Sequence, residues 1–358
     1  MSAGGFLQAQ PTAIVSYPSA EKSLAEQRQL YHEALELIRK GRWKSVAKHR
    51  QQLIDYPLYP YLLYADLIAD LRYSRRDKIA GYLSDYEGTV KAQHLRNRWL
   101  DYLAKRNYWT TYIEFYNPLE ASTKQQCQFE FARYSRLEGK PKEQAIESAL
   151  TLWNVGKSQP KECDKLFSLL VSKDKISESI AWQRFNKALL NHEHTLARYL
   201  QRYLKSSHYQ SLAKQYYKVD RNPELISQFS EFKLHSNEER DIIEHALAHQ
   251  ASVNSHASLK SWSHYQQTHE FSHATRSRVI SAIIKGLYRQ RFDPIADAYF
   301  VDNLQLLNET TQGTLTEWRI RQALKESDWL AVQQWIKRLP KAKREHPSWR
   351  YWTIRSME

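Results

Sequence analysis

Asp55-Tyr56-Pro57-Leu58-Tyr59-Pro60-Tyr61-Leu62 sets two prolines among tyrosines and leucines where two helical patterns meet. Proline removes a backbone donor and clashes with the preceding turn, so neither fits a helix interior. The stretch reads as a rigid corner whose aromatic side chains must pack against something. Just upstream, Tyr31, Ala34, Leu35 and Ile38 follow the i, i+3, i+4, i+7 spacing of one buried helix face. That face ends at Gly41-Arg42-Trp43, a helix stop followed by an aromatic that opens the next segment.

The same unit recurs. Leu103-Ala104-Lys105-Arg106-Asn107-Tyr108-Trp109 and Leu324-Lys325-Glu326-Ser327-Asp328-Trp329 each join a helix to its successor by a short polar turn. Leu137-Glu138-Gly139-Lys140-Pro141 follows the turn near Arg106 by about 33 residues, the length of one α-hairpin. Elsewhere the period is loose, and no Asn-Gly turn is flanked by alternating apolar residues. The expected fold class is therefore all-α, an irregular α-superhelix of stacked helical hairpins rather than a regular tetratricopeptide array. Such hairpins bury their apolar stripes only against neighbours. The last residues, Trp349-Arg350-Tyr351-Trp352, read as one more helix with an exposed apolar face.

With 358 residues and only 9 glycines, the chain has no long flexible linker beyond its start, and residues 1–22 are expected to form a flexible segment before a helical body over 23–358. The 23 tyrosines and 11 tryptophans make aromatics the expected packing material. No apolar run approaches the ~18 residues of a membrane-spanning helix. Met1-Ser2-Ala3-Gly4-Gly5-Phe6-Leu7 lacks the basic and apolar regions of a signal peptide. Lys and Arg are spread along the chain at a formal net charge of +14, a surface suited to polyanions of any kind. Two cysteines, Cys127 and Cys163, stand far apart. In a reducing compartment they would be free, in an oxidising one paired.

Chemistry-bearing motifs are sparse. Glu244-His245-Ala246-Leu247-Ala248-His249 puts two histidines one helical turn apart without the glutamate of a zinc-protease helix, and His192-Glu193-His194 has diverging imidazoles if helical. Neither is expected to hold a metal. No phosphate loop, nucleophile elbow or dinucleotide fingerprint occurs, and no cofactor is expected. Asp66, Asp70, Glu143 and Glu147 read as solvated helix faces, and Trp99, Trp109, Trp153, Trp182 and Trp318 as core. Arg72-Tyr73-Ser74-Arg75-Arg76 and Arg198-Tyr199-Leu200-Gln201-Arg202-Tyr203 mix basic and aromatic residues as strand-binding surfaces do, but no specific nucleic-acid motif accompanies them.

The corner at 55–62 resembles the N-terminal superhelical domain of soluble lytic murein transglycosylases. Three segments agree with it in order. Gln126-Cys127 leads into an aromatic helix through Tyr134. Leu152-Trp153 runs through Gly156-Lys157-Ser158-Gln159-Pro160 to Cys163-Asp164-Lys165-Leu166-Phe167. Trp318-Arg319 runs to Leu339-Pro340, followed by Trp349-Arg350-Tyr351-Trp352. Between about Leu190 and Gly313 the likeness is of helical character alone.

The resemblance implies a right-handed superhelix curling into a partial ring. It also implies a periplasmic location with any signal peptide removed, and a disulfide between Cys127 and Cys163. Enzymes of this kind cleave the MurNAc-GlcNAc bond of peptidoglycan to 1,6-anhydro products in a separate lysozyme-like domain. Its Glu-Ser, Gly-Leu-Met-Gln and Ala-Tyr-Asn motifs are not met here: Glu147-Ser148, Glu178-Ser179 and Glu326-Ser327 lack the second string, and Ala298-Tyr299 precedes Phe300. The chain is expected to stop before a linker and catalytic domain, to carry no catalytic residue, and to be inactive alone. Its implied partners are peptidoglycan, held weakly by charge, and a catalytic domain or cell-wall synthesis proteins. The rival readings are a freestanding helical scaffold for a protein partner and a polyanion binder acting by charge alone.

Overall fold

The computed structural model describes residues 23–357, so the segment 1–22 lies outside the described residues. Among the described residues there are twenty α-helices, short 3-10 turns and no strand. The first eight are α1 (Leu24–Arg39), α2 (Trp43–Gln51), α3 (Tyr59–Ala69), α4 (Arg76–Asp85), α5 (Val90–Lys105), α6 (Trp109–Phe115), α7 (Thr123–Arg136) and α8 (Lys140–Trp153). Then come α9 (Asp164–Ser172), α10 (Glu178–Leu190), α11 (His194–Leu200), α12 (Ser207–Arg221), α13 (Asn237–Val253) and α14 (Ser255–Thr268). The last are α15 (His273–Arg289), α16 (Asp293–Asp302), α17 (Glu309–Lys325), α18 (Trp329–Ile336), α19 (Lys341–Arg344) and α20 (Pro347–Arg355). They form two compact units, one reaching Ala149 and taking in Pro160–Leu166, the other holding Leu150–Gln159 and everything from Phe167.

One backbone device closes six of the helix junctions. After α1 the chain turns left-handed at Gly41 (φ 68°), and the Arg42 N–H donates to the Leu37 carbonyl at 2.9 Å. This is the Schellman end, which satisfies carbonyls that the last helical turn leaves open. The same donor-acceptor step recurs from Tyr108 to Leu103, Lys175 to Leu170, Glu193 to Ala188, Phe292 to Leu287 and Asp328 to Ala323. At these turns the left-handed residue is Asn107, Asp174, His192, Arg291 or Ser327, with φ between 51° and 69°. The three units recognised in the sequence at Trp43, Trp109 and Trp329 thus belong to a larger set. Those without glycine or an aromatic successor carry no comparable signal.

In the first unit, Ser23 and Glu26 cap α1 reciprocally, and α1 buries Ala34 and Ile38. At the proline corner Pro60 occupies the first turn of α3, where the lost N–H has no helical partner anyway. Tyr56 is buried with its ring 5.4 Å from that of Tyr31, beside buried Leu53 and Leu62. Tyr61 and Leu58 are exposed instead, so the corner packs through only part of its apolar set. Further along, the fully buried Trp99 stacks on Tyr102 at 5.1 Å and meets Phe115 edge-on at 5.8 Å.

Asp66 departs from the solvated face expected of it. It is buried and gripped by Arg75 and, at 3.2 Å, by Arg50, while Asp70 pairs with Arg72 and Arg75. Glu143 and Glu147 are exposed as expected. Cys127 on α7 and Cys163, at the end of the turn Lys161–Cys163, are joined by a disulfide with their Cα atoms 5.0 Å apart.

The second unit is organised on α13, which packs with α10, α12, α14, α15 and the turn Pro223–Ser227. Besides Ile242, Ile243, Ala246, Leu247 and Ala251, this helix buries Glu239, Glu244, His245 and Gln250. Each of these side chains meets a partner, although Glu239 Oε1 and Gln250 Oε1 accept no hydrogen bond. Glu239 accepts from the His235 backbone at 2.8 Å and lies 3.4 Å from His269, and Glu244 pairs with Arg278. Gln250 donates to Glu224 at 3.1 Å. Gly286 lets α15 lie directly on α13, since a Cβ there would fall 2.1 Å from the Ala251 carbonyl oxygen. On α20, Trp349 is buried while Tyr351 and Ile354 are exposed.

A candidate ligand-binding groove

Within the second unit, α11, α12 and the turn after α12 enclose a groove of about 810 Å³. Positions 214, 217, 218 and 221 of α12 fall on one helical face by their three- and four-residue spacing. They place Lys214, Tyr217, Lys218 and Arg221 along the groove, faced by His194, Arg198 and Gln201 of the neighbouring segment, with Leu225 at one end. The Gln201 amide donates to the Tyr217 hydroxyl at 3.0 Å, bridging the two walls. Four permanent cations therefore line a cavity with a single carboxylate, Asp220. Such a lining raises the local concentration of anions.

Asp220 is the last acidic residue of α12 and turns toward α13. Its Oδ1 lies 2.9 Å from His245 Nε2, and its Oδ2 lies 3.7 Å from His194 Nδ1. The hydrogen bond with His245 holds the Asp220 carboxyl below its ordinary range in spite of burial. Burial, then the nearby His245 charge, pushes the His249 imidazole below its ordinary value. His194 reaches this place because the left-handed His192 ends the hairpin and lets α11 begin at once.

The sequence motifs divide between this site and the scaffold. Of the 198–203 stretch, Arg198 lines the groove, and Arg202 lies 4.0 Å over the half-exposed Tyr199 ring. In the 72–76 stretch, Arg75 is locked onto Asp66 and is not offered to a ligand. Trp99, Trp109, Trp153 and Trp182 are core residues, while Trp318 is half-buried with the Arg289 guanidinium 6.0 Å from its ring. The Glu-Ser pairs have structural places: Glu178 accepts from the Ser206 backbone at 2.6 Å at the start of α12, and Glu326 pairs with Arg291. Asp220 and the α12 cations carried no sequence signal beyond helical spacing.

No family model matches the chain. The soluble lytic murein transglycosylase of Escherichia coli strain K12 is 26% identical over 343 residues, covering 94% of this chain and 51% of that protein. The protein of the same name from Salmonella typhimurium strain LT2 is 26% identical over 333 residues, covering 92% and 50%. The chain thus spans about half the length of the curated relatives it matches.

Among solved structures, an inactive mutant of lytic transglycosylase Slt from Pseudomonas aeruginosa superposes with a TM-score of 0.68 at 28% identity, covering 92% of this chain and 52% of that one. The 70 kDa soluble lytic transglycosylase SLT70 of Escherichia coli superposes at 0.64 with 24% identity, covering 94% and 53%, which extends the likeness of fold. The all-α class and the superhelical fold read from the sequence are those of these neighbours. Over nearly all of its length, then, the chain is a homologue of the soluble lytic murein transglycosylases, matching about half of theirs.

Proposed function

We propose that the chain is the non-catalytic superhelical scaffold of a soluble lytic murein transglycosylase and holds peptidoglycan for the enzyme's catalytic domain. The observation that carries this reading is the match over 94% of this chain to relatives it spans by only about half. The cation-lined groove supports a role in placing an anionic substrate, because glycan strands of the wall bear carboxylates. On this reading the working compartment is the periplasm, where an oxidising milieu suits the disulfide between Cys127 and Cys163. Cleavage to 1,6-anhydro products then belongs to the lysozyme-like domain of the parent enzyme, and residues 23–358 supply architecture and binding. A freestanding scaffold for another protein is the weaker reading, since it leaves the length and order of the match without a cause.

Co-sedimentation of the chain with purified sacculi tests the proposal. Retention at low ionic strength that falls as salt is added is the expected result, because exposed charges are screened. Lys214→Ala combined with Lys218→Ala is expected to weaken it, with no anhydromuropeptide released by either protein. Retention indifferent to both salt and the double substitution would sink the groove's role, and release of anhydro products would sink the non-catalytic reading.

A further inference from the structure

Three helices converge on one carboxylate. His245 and His249 stand one turn apart on α13, and Asp220 comes from α12. One donor atom from each of the three lies within 4.8 Å of the other two. His194, at the start of α11, closes on the opposite oxygen of Asp220. A simple buried pair between α12 and α13 requires only Asp220 and His245. His249, with a ring nitrogen within 4.8 Å of donor atoms of both, and His194, on the opposite carboxylate oxygen, exceed that need.

We propose that Asp220, His245 and His249 form a three-donor binding site for a borderline divalent transition-metal ion, zinc(II) above all, with water taking the fourth position. The donor types support this choice. Imidazole nitrogens with one carboxylate suit zinc and its neighbours in the first row, whereas calcium and magnesium require mostly oxygen. Distances agree as well. A tetrahedral ion with bonds of ~2.05 Å holds its donors about 3.3 Å apart. The separation of 2.9 Å between Asp220 Oδ1 and His245 Nε2 lies close to that spacing.

Access and rigidity are both present. The His245 and Asp220 side chains are 6% and 14% exposed, while His194 is half-exposed and borders the open groove. The Tyr216 ring, 4.8 Å from that of His245 and fully buried, fixes the imidazole on its inner side. The ion would tie α12 to α13 beside the groove, and would offset the one negative charge among its cations.

Calorimetric titration of the untagged, chelator-dialysed chain with zinc chloride tests the site. One ion per chain is the expected stoichiometry, with no heat from calcium chloride, and cobalt(II) is expected to show the visible bands of a four-coordinate complex. His249→Ala, which removes a half-buried ring, and Asp220→Asn should each lower the affinity at least about tenfold with an unchanged far-UV spectrum. His194→Ala, at the rim and outside the three-donor set, should cost less than either. His208→Ala, an exposed histidine elsewhere on α12, should cost nothing. No zinc uptake in the micromolar range, or uptake that survives both His249→Ala and Asp220→Asn, overturns the proposal. Equal binding of calcium does the same.

Discussion

The two units are built from the same helical hairpins and packed with different chemistry. Aromatic rings fill both interiors, Trp99 among Tyr102, Tyr73 and Phe115 in the first and Trp182 among Phe185, Tyr209 and Tyr216 in the second, so the difference lies in the buried polar groups. The first unit's ion pairs centre on Asp66, Asp70 and the arginines around them, with the buried Glu130 held by Arg133 at 2.9 Å and Arg96 on Glu120 at 3.2 Å. In the second, one helix carries acids, a histidine and a glutamine into the interior, each matched by a partner from another element. Aromatic packing tolerates small losses of shape. A buried charge tolerates no loss of its partner, since the group left behind has neither water nor counterion.

Asp66 gives the largest test, because it makes the first unit behave like the second at one point. Asp66→Ala strands the largely buried Arg75 and should destabilise the protein by about 3–5 kcal/mol, read from urea unfolding. Asp70→Ala, whose main partner Arg72 is half-exposed, should cost no more than ~1 kcal/mol. Equal losses would mean that burial is not what separates the two carboxylates.

The disulfide is the first unit's second staple. It closes a loop of 36 residues between α7 and the turn at Lys161–Cys163. In the chain-entropy description such a bridge contributes about 4 kcal/mol. Cys127→Ser with Cys163→Ser should lower the urea midpoint accordingly, and a reducing agent should bring the wild-type protein to the same value. A reductant that leaves the wild-type midpoint unchanged would show that the bridge adds nothing to stability or is absent in solution.

This contrast also explains what could be read in advance. The hairpin turns at Gly41 and Gly139 and the proline corner were legible because glycine and proline have few conformational uses. The left-handed residues His192 and Arg291 were not, since tertiary packing rather than residue type selects that conformation there. Asp66 and Asp70 stood at visible helical spacing, but spacing does not say which faces inward. On α13, only the surrounding helices reveal that Glu239 is wholly buried. Of the proposed metal site, His245 and His249 were apparent in the sequence, while Asp220 joins them only through the packing of α12 on α13.

A pH dependence should follow the second unit. Burial raises the Asp241 carboxyl to about 6, reinforced by Glu244 and Glu238 and opposed by the Trp182 indole, which donates at 2.9 Å, and by Arg278. Its folded value lies above the unfolded one, so the folded state holds the proton longer. Stability is therefore full below about pH 4 and falls as pH rises to about 6, by roughly 3 kcal/mol for a shift of this size. Asp241→Asn should remove that decline while keeping an acceptor for Trp182. Unfolding followed by tryptophan fluorescence between pH 4 and pH 7 would show it, and an Asn variant with the same slope as wild type would assign the decline to other groups.

The smallest effects set one glycine of each unit against the other. On α4, Gly81 has open space where a Cβ would stand, so Gly81→Ala should stabilise the protein by about 0.5–1 kcal/mol through helix propensity and lost unfolded-state freedom. On α15, Gly286 meets backbone: its Cβ would lie 2.1 Å from the Ala251 oxygen, which cannot rotate away as a side chain can. Gly286→Ala must push α15 off α13 and should cost about 1–3 kcal/mol, the usual penalty of overpacking. Because the shift would also disturb the α13 face that carries His245 and His249, zinc affinity should fall in Gly286→Ala and stay unchanged in Gly81→Ala. Thermal melts of both variants with and without zinc chloride therefore read the packing of the second unit and the integrity of its metal site in one experiment, and a melt of Gly286→Ala equal to wild type would refute the close approach of the two helices.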